Sequence, residues 1–420
     1  MSKLIRRCLL VVLAFAPLVA VAQPAEPPPT PPAPPDEPVP PTAPTAPAPV
    51  VVEPTPAPVP EPKVEKTEEK KKDPPWYDKL AIRGYVQVRF NRLYASDDDF
   101  KNDLGDKAIA KNNSFSIRRA RLVVQGDVAP FLFMYLQVDA SGADVKMRDW
   151  YGDFSIDKDK ELRFRLGQSK VPYGWENMQS SQNRAPLDRS DPINSAVPGE
   201  RDIGLFAYWA PKKTRKMFKH LVDSGLKGSG DYGVLALGIY NGQTLNVDDK
   251  NENRHVVARA TYPIEIGTQI LEIGANAYVG KFTVERDETV FGKANTRDAR
   301  VGAAVVLYPQ PIGFQAEWNV GTGPELVDDT IEATTLHGGY AMVNARVGDF
   351  FPFLRGAYYE GGLKTAKNAP LHRSKELAAG VEWHYKKRFE VTAEIDRAKR
   401  EIADGSVTGT IFRLQGQFNY

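Results

Sequence analysis

From Trp76 to the last residue, apolar side chains recur at every second position, and this period of two is the strongest constraint in the chain. Phe412, Leu414, Gly416, Phe418 and Tyr420 share one parity, and Arg413, Gln415, Gln417 and Asn419 share the other. Earlier, Ile82, Val86, Val88 and Phe90 alternate with Arg83, Tyr85, Gln87 and Arg89. Leu162, Phe164 and Leu166 alternate with Arg163 and Arg165. Successive side chains of a strand point to opposite faces, so each segment has one apolar and one polar face. No helical period is sustained.

The alternation predicts sixteen strands, at about 80–93, 114–127, 131–140, 145–156, 161–168, 202–210, 231–241, 253–262, 270–280, 298–308, 312–320, 334–347, 351–360, 373–385, 388–398 and 409–420. Alternate connections are short, such as 128–130, 309–311 and 348–350; the others, such as 94–113, 169–201 and 321–333, are long. Short turns on one rim and long loops on the other describe a transmembrane barrel whose even strand number puts both chain ends at the same rim. One connection departs from this pattern: 211–230 should be a short turn, but it is about twenty residues long and basic.

A soluble sandwich would need its apolar parity inside, and its other face would not carry so many aromatic residues. Here Trp76, Tyr77, Tyr94, Trp150, Trp209, Tyr262, Tyr308, Trp383 and Tyr385 fall near strand ends, where interfacial girdles lie. Mean hydropathy is -0.41 and the longest apolar run is Leu9–Ala22, which excludes a bundle of membrane helices of ~20 apolar residues each. Lys and Arg number 55 against 53 Asp and Glu, a formal charge of +2, which argues against a nucleic-acid binder relying on bulk charge.

Two segments precede the strands. Lys3, Arg6 and Arg7, the apolar stretch from Leu9 and the Ala20-Val21-Ala22 ending predict a signal peptide over 1–22, cut before Gln23. The one cysteine, Cys8, lies inside it, so the mature chain has no disulfide, thiolate metal site or cysteine nucleophile. Residues 23–75 form a proline-rich and then charged extension, with 19 prolines among the 39 residues from Pro24 to Pro62. Proline fixes φ and removes amide donors, so a disordered periplasmic spacer is expected, with peptidoglycan as a candidate contact.

Four motifs carry a resemblance. Arg118-Arg119-Ala120-Arg121-Leu122 opens the second strand, and Gly167-Gln168-Ser169-Lys170-Val171-Pro172-Tyr173-Gly174 leads into the longest loop. Glu200-Arg201-Asp202-Ile203-Gly204 closes that loop, and Tyr240-Asn241-Gly242 follows the seventh strand. In this order the chain resembles the phosphate-selective porins of bacterial outer membranes, of porin O and P type, over about residues 80–420. The proline-rich extension is a departure from the family's compact form. The resemblance implies a sixteen-stranded antiparallel barrel surrounded by outer-membrane lipid, usually a homotrimer. Its third long loop folds inward, and small anions diffuse past Arg and Lys side chains. It also places the Arg118/Arg119 pair and Lys170 near the constriction, and Asp139 as an acidic neighbour.

Parity itself puts Arg83, Arg89, Arg119, Arg121, Arg163, Arg165, Arg259, Arg300, Arg346 and Arg413 on the lumen side. Only one of Arg118 and Arg119 can face inward unless a bulge intervenes. Closure makes the last strand a neighbour of the first two, so Arg413, Arg83, Arg89, Arg119 and Arg121 should form one basic wall. Glu272, Glu317, Glu376, Glu382, Glu394 and Asp396 should oppose it. Connection 169–201 balances Lys170, Arg184, Arg189 and Arg201 against Glu176, Asp188, Asp191 and Glu200, so it is locally neutral.

The candidate anion-binding and pore-lining residues are therefore Arg83, Arg89, Arg118, Arg119, Arg121, Arg163, Arg165, Lys170 and Arg413. The arginine fork suits phosphate oxygens, with phosphate or polyphosphate as the narrower candidate solutes. The five histidines lack metal-ligand spacing, Gly-x-Ser-x-Gly is missing, and neither an enzyme nor a cofactor is expected. A general weakly selective porin and a structural barrel anchoring a proline-rich tether stay open as alternatives.

Overall fold

The computed structural model describes residues 75–97, 114–142, 144–292, 295–386, 388–402 and 405–420. The expected signal peptide and the extension up to residue 74 lie outside the described residues. A 3-10 turn, Trp76–Lys79, precedes sixteen strands. They are β1 (Ala81–Ser96), β2 (Ser114–Ala129), β3 (Leu132–Asp139), β4 (Lys146–Ser155), β5 (Leu162–Lys170), β6 (Arg201–Trp209), β7 (Leu235–Tyr240) and β8 (His255–Ile266). Then follow β9 (Gln269–Thr283), β10 (Asn295–Leu307), β11 (Ile312–Val327), β12 (Thr330–Ala345), β13 (Phe350–Gly362), β14 (Leu371–Lys386), β15 (Phe389–Ile402) and β16 (Gly405–Asn419). A two-residue strand, Phe291–Gly292, pairs in parallel with Thr330 and Ile331 at the long-loop rim.

Each strand pairs antiparallel with its sequence neighbours, and β1 pairs with both β2 and β16, which closes the barrel. The last residue completes the seam: Gly84 and Tyr420 exchange backbone hydrogen bonds at 2.9 and 3.0 Å. A Cβ on Gly84 would lie 2.1 Å from the Arg121 carbonyl oxygen and 2.6 Å from the Tyr420 ring, so glycine is required at this close approach.

Burial follows parity in the sense opposite to that of a soluble protein. Ile82, Phe115, Leu237 and Phe418 are exposed, while Arg89, Arg119, Arg413 and Glu394 are buried. In β8, His255, Val257, Arg259, Thr261 and Pro263 point in, and Val256, Ala258, Ala260 and Tyr262 point out. An apolar outside around a polar inside is the arrangement of a lipid-facing barrel. Among the described residues no helix is long and apolar enough to cross a membrane.

Three expectations are corrected. Segments 321–333 and 399–408 are mostly strand rather than long loops. Pro324 pairs with Ala333, and only Asp328 and Asp329 turn, at positive φ that Asp tolerates. Arg400 likewise pairs with Val407. Tyr308 is not a girdle residue but is 1% exposed, its hydroxyl donating to Glu272. Arg346, just past the end of β12 and solvent-exposed, keeps the parity of buried Met342 and Asn344, lies over the ring of buried Phe351 and donates from Nη1 to the Ser224 carbonyl.

Three helices interrupt the strands: α1 (Trp175–Met178), α2 (Asp191–Asn194) and α3 (Lys212–Asp223). The unexplained basic connection is α3 and its return. Thr214, Phe218 and Leu221 share one buried face of that helix. Phe218, Leu221 and Leu226 pack with Trp175 of α1 and with Ile270, Ala304, Val306 and Tyr308.

Candidate functional site

The Arg118/Arg119 pair is resolved by a bulge. Gln87 pairs with Arg119 and Val88 with Ile117, so Arg118 is the extra residue. The parity switch turns both guanidinium groups inward. Arg119 is buried and donates to Gln87 Oε1 at 2.9 Å, and Arg118 Nε lies 3.6 Å from Asp188 Oδ1. A second bulge sits between β3 and β4, where Gln137 pairs with Asp149 and Val138 with Met147. It leaves Arg148 free of the ladder, 3.8 Å from Glu200, a pore-side arginine that parity counting missed.

Several carboxylates take up most of the expected basic wall, and one of them holds two of its arginines. Asp188, fully buried in the β5–β6 connection, accepts from Arg89 at 2.8 and 3.0 Å and from Arg413 at 2.7 Å. Arg413 also donates to Glu394 at 2.5 Å and to Asp396 at 2.8 Å. These two acids had been expected on the opposing wall, but they sit on β15, next to β16. Arg121 pairs with Asp139 at 3.0 Å, and Asp139 also caps the Ala120 amide. Buried guanidinium groups need such partners, because an unpaired charge taken out of water costs far more than a hydrogen bond returns.

Lys170 is equally committed. Its Nζ donates to the carbonyls of Asn177, Met178 and Gln179 at 2.9, 2.9 and 2.8 Å, closing the C-terminal end of α1. The rest of the connection reaches strands far from its own ends. Glu176 accepts from Arg355 on β13 at 3.1 Å, Asp191 accepts from Arg400 on β15 at 3.0 Å, and Glu317 on β11 accepts the Trp175 and Glu176 amides. Arg355 and Arg400 share the inward parity, yet nothing in their own strands distinguishes them from other alternating residues.

Two adjoining cavities, of about 450 and 670 Å³, run along the β1–β6 wall. Both touch Arg83, Tyr135, Tyr151, Arg165 and Asp231. The inner cavity adds Arg121, Lys170 and Arg201, and the outer adds Lys160, Arg163, Lys212, Arg215, Lys216 and Lys219 at the short-turn rim. The acids facing them are Asp127, Asp149, Asp153, Asp223 and Asp231, so basic groups dominate. Within this lining Arg165 is clamped by Asp153 at 2.7 and 2.9 Å and lies 3.7 Å over the Tyr151 ring. Arg163 and Arg215 share Asp231, at 2.8 and 2.7 Å. Burial raises the Asp231 carboxyl, but those two guanidinium groups and the Gly233 amide outweigh it and hold it below its usual value.

Arg83 differs from these. It donates to Gln125 Oε1 at 3.3 Å and to the Tyr135 hydroxyl at 3.4 Å, and among the described residues it has no ion pair. Of the candidate residues, the cavities thus bring together Arg83, Arg121, Arg163, Arg165 and Lys170, and leave Arg89, Arg118, Arg119 and Arg413 outside.

A third cavity, of about 320 Å³, lies toward the long-loop rim between α2 and loop 363–370. Lys364 lines it, with Nζ 2.5 Å from Asp298 and 2.7 Å from the Ala196 carbonyl. Burial pushes the Lys364 ammonium down to about 8, a fall that Asp298 only partly offsets. Glu382, His384 and Glu390 bring potential metal ligands within 4.8 Å of one another, a grouping the histidine spacing did not reveal. The Lys227 ammonium already pairs with Glu382 there, so a cation is supplied by the chain itself.

Residues 86–420 match the family described as phosphate-selective porin O and P. The outer membrane channel DcaP of Acinetobacter baumannii is 13% identical, with 81% of this chain and 97% of that one aligned at a TM-score of 0.51. The high-pH structure of Pseudomonas putida OprB is 9% identical, with 82% and 94% aligned at 0.53. An anion-selective porin from Comamonas acidovorans is 12% identical, with 81% and 99% aligned at 0.46. No curated protein matches the chain. At these identities the structural likeness speaks for the barrel alone.

Proposed function

The chain belongs to the phosphate-selective porin O and P family, and we propose that it is an outer-membrane porin whose aqueous path follows the β1–β6 wall and favours small anions. The observation that carries this reading is the basic lining of the two joined cavities, with Arg83 uncommitted to any carboxylate at their junction. Its guanidinium offers a planar fork to an oxyanion. The short-turn rim, holding both barrel ends, faces the periplasm in this reading. Connection 171–200 narrows the lumen, as its contacts with β1, β11, β13, β15 and β16 suggest. Outer-membrane lipid covers the apolar belt, and the functional unit is a homotrimer.

One charge at ~4 Å in water is worth about 1 kcal/mol, so Arg83 alone gives bias rather than exclusion. Phosphate or polyphosphate specificity would require several guanidinium groups converging on the solute. The carboxylates already held by Arg121 and Arg165 favour a second reading, a general porin of weak selectivity. The proline-rich extension, with peptidoglycan as its contact, belongs to the structural alternative.

The test is the reversal potential of the purified protein in a planar bilayer under a KCl gradient. Chloride bias is expected, weakened in Arg83→Gln, with added phosphate competing for the path. No bias, or cation bias, leaves the general porin. Absence of conductance moves the function to an anchor.

A further inference from the structure

The β6–β7 connection needs only a tight turn. Trp209 and Leu235 are register partners, and the Val234 amide donates to the Trp209 carbonyl at 2.7 Å. The chain instead runs through α3 and a return segment whose contacts lie far from its ends. Lys227 forms a buried ion pair with Glu382 on β14, seven strands round from β7. The Ser224 carbonyl accepts from Arg346, beyond β12, at 3.0 Å. A segment joining walls so far apart in a closed barrel crosses the lumen. On its way it supports the β5–β6 connection: Gln179 and Asn183 donate to the Lys227 and Gly228 carbonyls at 2.6 and 2.9 Å.

We infer that residues 211–234 are a second, fixed constriction at the short-turn mouth, which limits conductance there and shows passing anions a row of basic side chains. The buried side of α3 packs against Trp175 and Tyr308, and the return is held by the Lys227–Glu382 pair, so the segment is part of the wall rather than a moving flap. Its other side presents Lys212, Lys216 and Lys219 to the outer cavity, Lys212 paired with Asp159 and Lys219 with Asp223 at exposed positions. Arg215 is fixed among them by Asp231 at 2.7 Å. The constriction stands on geometry alone. The effect of the basic row rests on the anion-channel reading above.

Two variants, recorded as single channels in planar bilayers, test this. In the first, an Asn-Gly turn replaces residues 211–233, which the Trp209–Leu235 pairing allows. Unitary conductance should rise severalfold, and an unchanged or lower conductance overturns the constriction. Because this removal uncovers Trp175 and Tyr308, the second variant, Lys216→Glu with Lys219→Glu, changes only exposed positions. It should shift the reversal potential toward cations, and an unshifted potential overturns the basic row. A wild type without anion bias would refute the proposed function, yet the conductance rise in the turn variant would still support the constriction.

Discussion

Asp188→Asn isolates the group on which the pore-side arginines converge. Asparagine keeps the volume and removes the charge that Arg89 and Arg413 contact at 2.8 and 2.7 Å and Arg118 approaches at 3.6 Å. Arg413 retains Glu394 and Asp396, and Arg89 retains Gln415 and the Leu187 carbonyl. The change therefore uncovers about one charge. Removing one partner of a buried ion pair costs about 3–5 kcal/mol. The barrel ladder itself is untouched, so that loss falls on the anchorage of connection 171–200. In solution terms the freed charge is worth about 1 kcal/mol to a chloride at ~4 Å, which caps any gain in anion preference at roughly fivefold. The assays are the temperature at which folded, fast-migrating barrel converts to unfolded chain on a gel, and the reversal potential. The variant should convert at lower temperature and show a modest shift toward anions. Wild-type heat resistance, or a shift toward cations, would refute Asp188 as the neutralising hub.

Three further outcomes follow from particular contacts. Deleting Arg118 should leave a folded barrel, because Ile117 and Arg119 then pair in regular alternation with Val88 and Gln87, whereas deleting Ala120 uses up the same surplus residue but turns Arg119 toward the apolar outer face and should lower the yield in a detergent refolding assay. Gly84→Val should impair refolding, since its side chain cannot share the seam with the Arg121 carbonyl and Tyr420, and the two Gly84–Tyr420 hydrogen bonds, worth about 1 kcal/mol each, are strained or lost. Lys364, pushed down to about 8, should shed its charge as pH rises through that value, moving the reversal potential toward cations between pH 7 and 9, with no such step in Lys364→Met. The sign on stability is the reverse of a strengthened pair: the unfolded chain holds the extra proton between about 8 and 10.4, so unfolding becomes harder with pH across that window.

The barrel was legible because its rule is local. Period-two alternation fixes which face meets lipid, and sixteen segments with short and long connections leave little choice of topology. The far half of the β11–β12 hairpin reads as a loop in the sequence because Gly321, Gly323 and Pro324 are residues that loops favour. Each nevertheless has a register partner there, Gly323 with Thr334 and Pro324 with Ala333. The bulges at Arg118 and Arg148 were not legible in the same way. The paired arginines signalled a conflict with parity, but only the partner strand shows which residue the ladder skips.

Available charge was hidden for a deeper reason. An inward arginine is a selectivity element only if nothing else holds it, and the partners come from elsewhere in the chain. Connection 169–201 looked uninformative because its charges cancel, yet the cancellation is divided by role. Its acids Glu176, Asp188 and Asp191 go outward to Arg355, to Arg89 with Arg413, and to Arg400. Glu200 stays home with Arg189 and Arg201. The connection thus brings a negative set matched to basic residues of the barrel wall, and Asp188 alone takes up two of the arginines that parity supplied, Arg89 and Arg413. Arg83 escapes because the residues facing it, Gln125 and Tyr135, are neutral. In the proposed channel, selectivity thus follows the few inward arginines, Arg83 among them, that neither this connection nor the other acids of the chain hold.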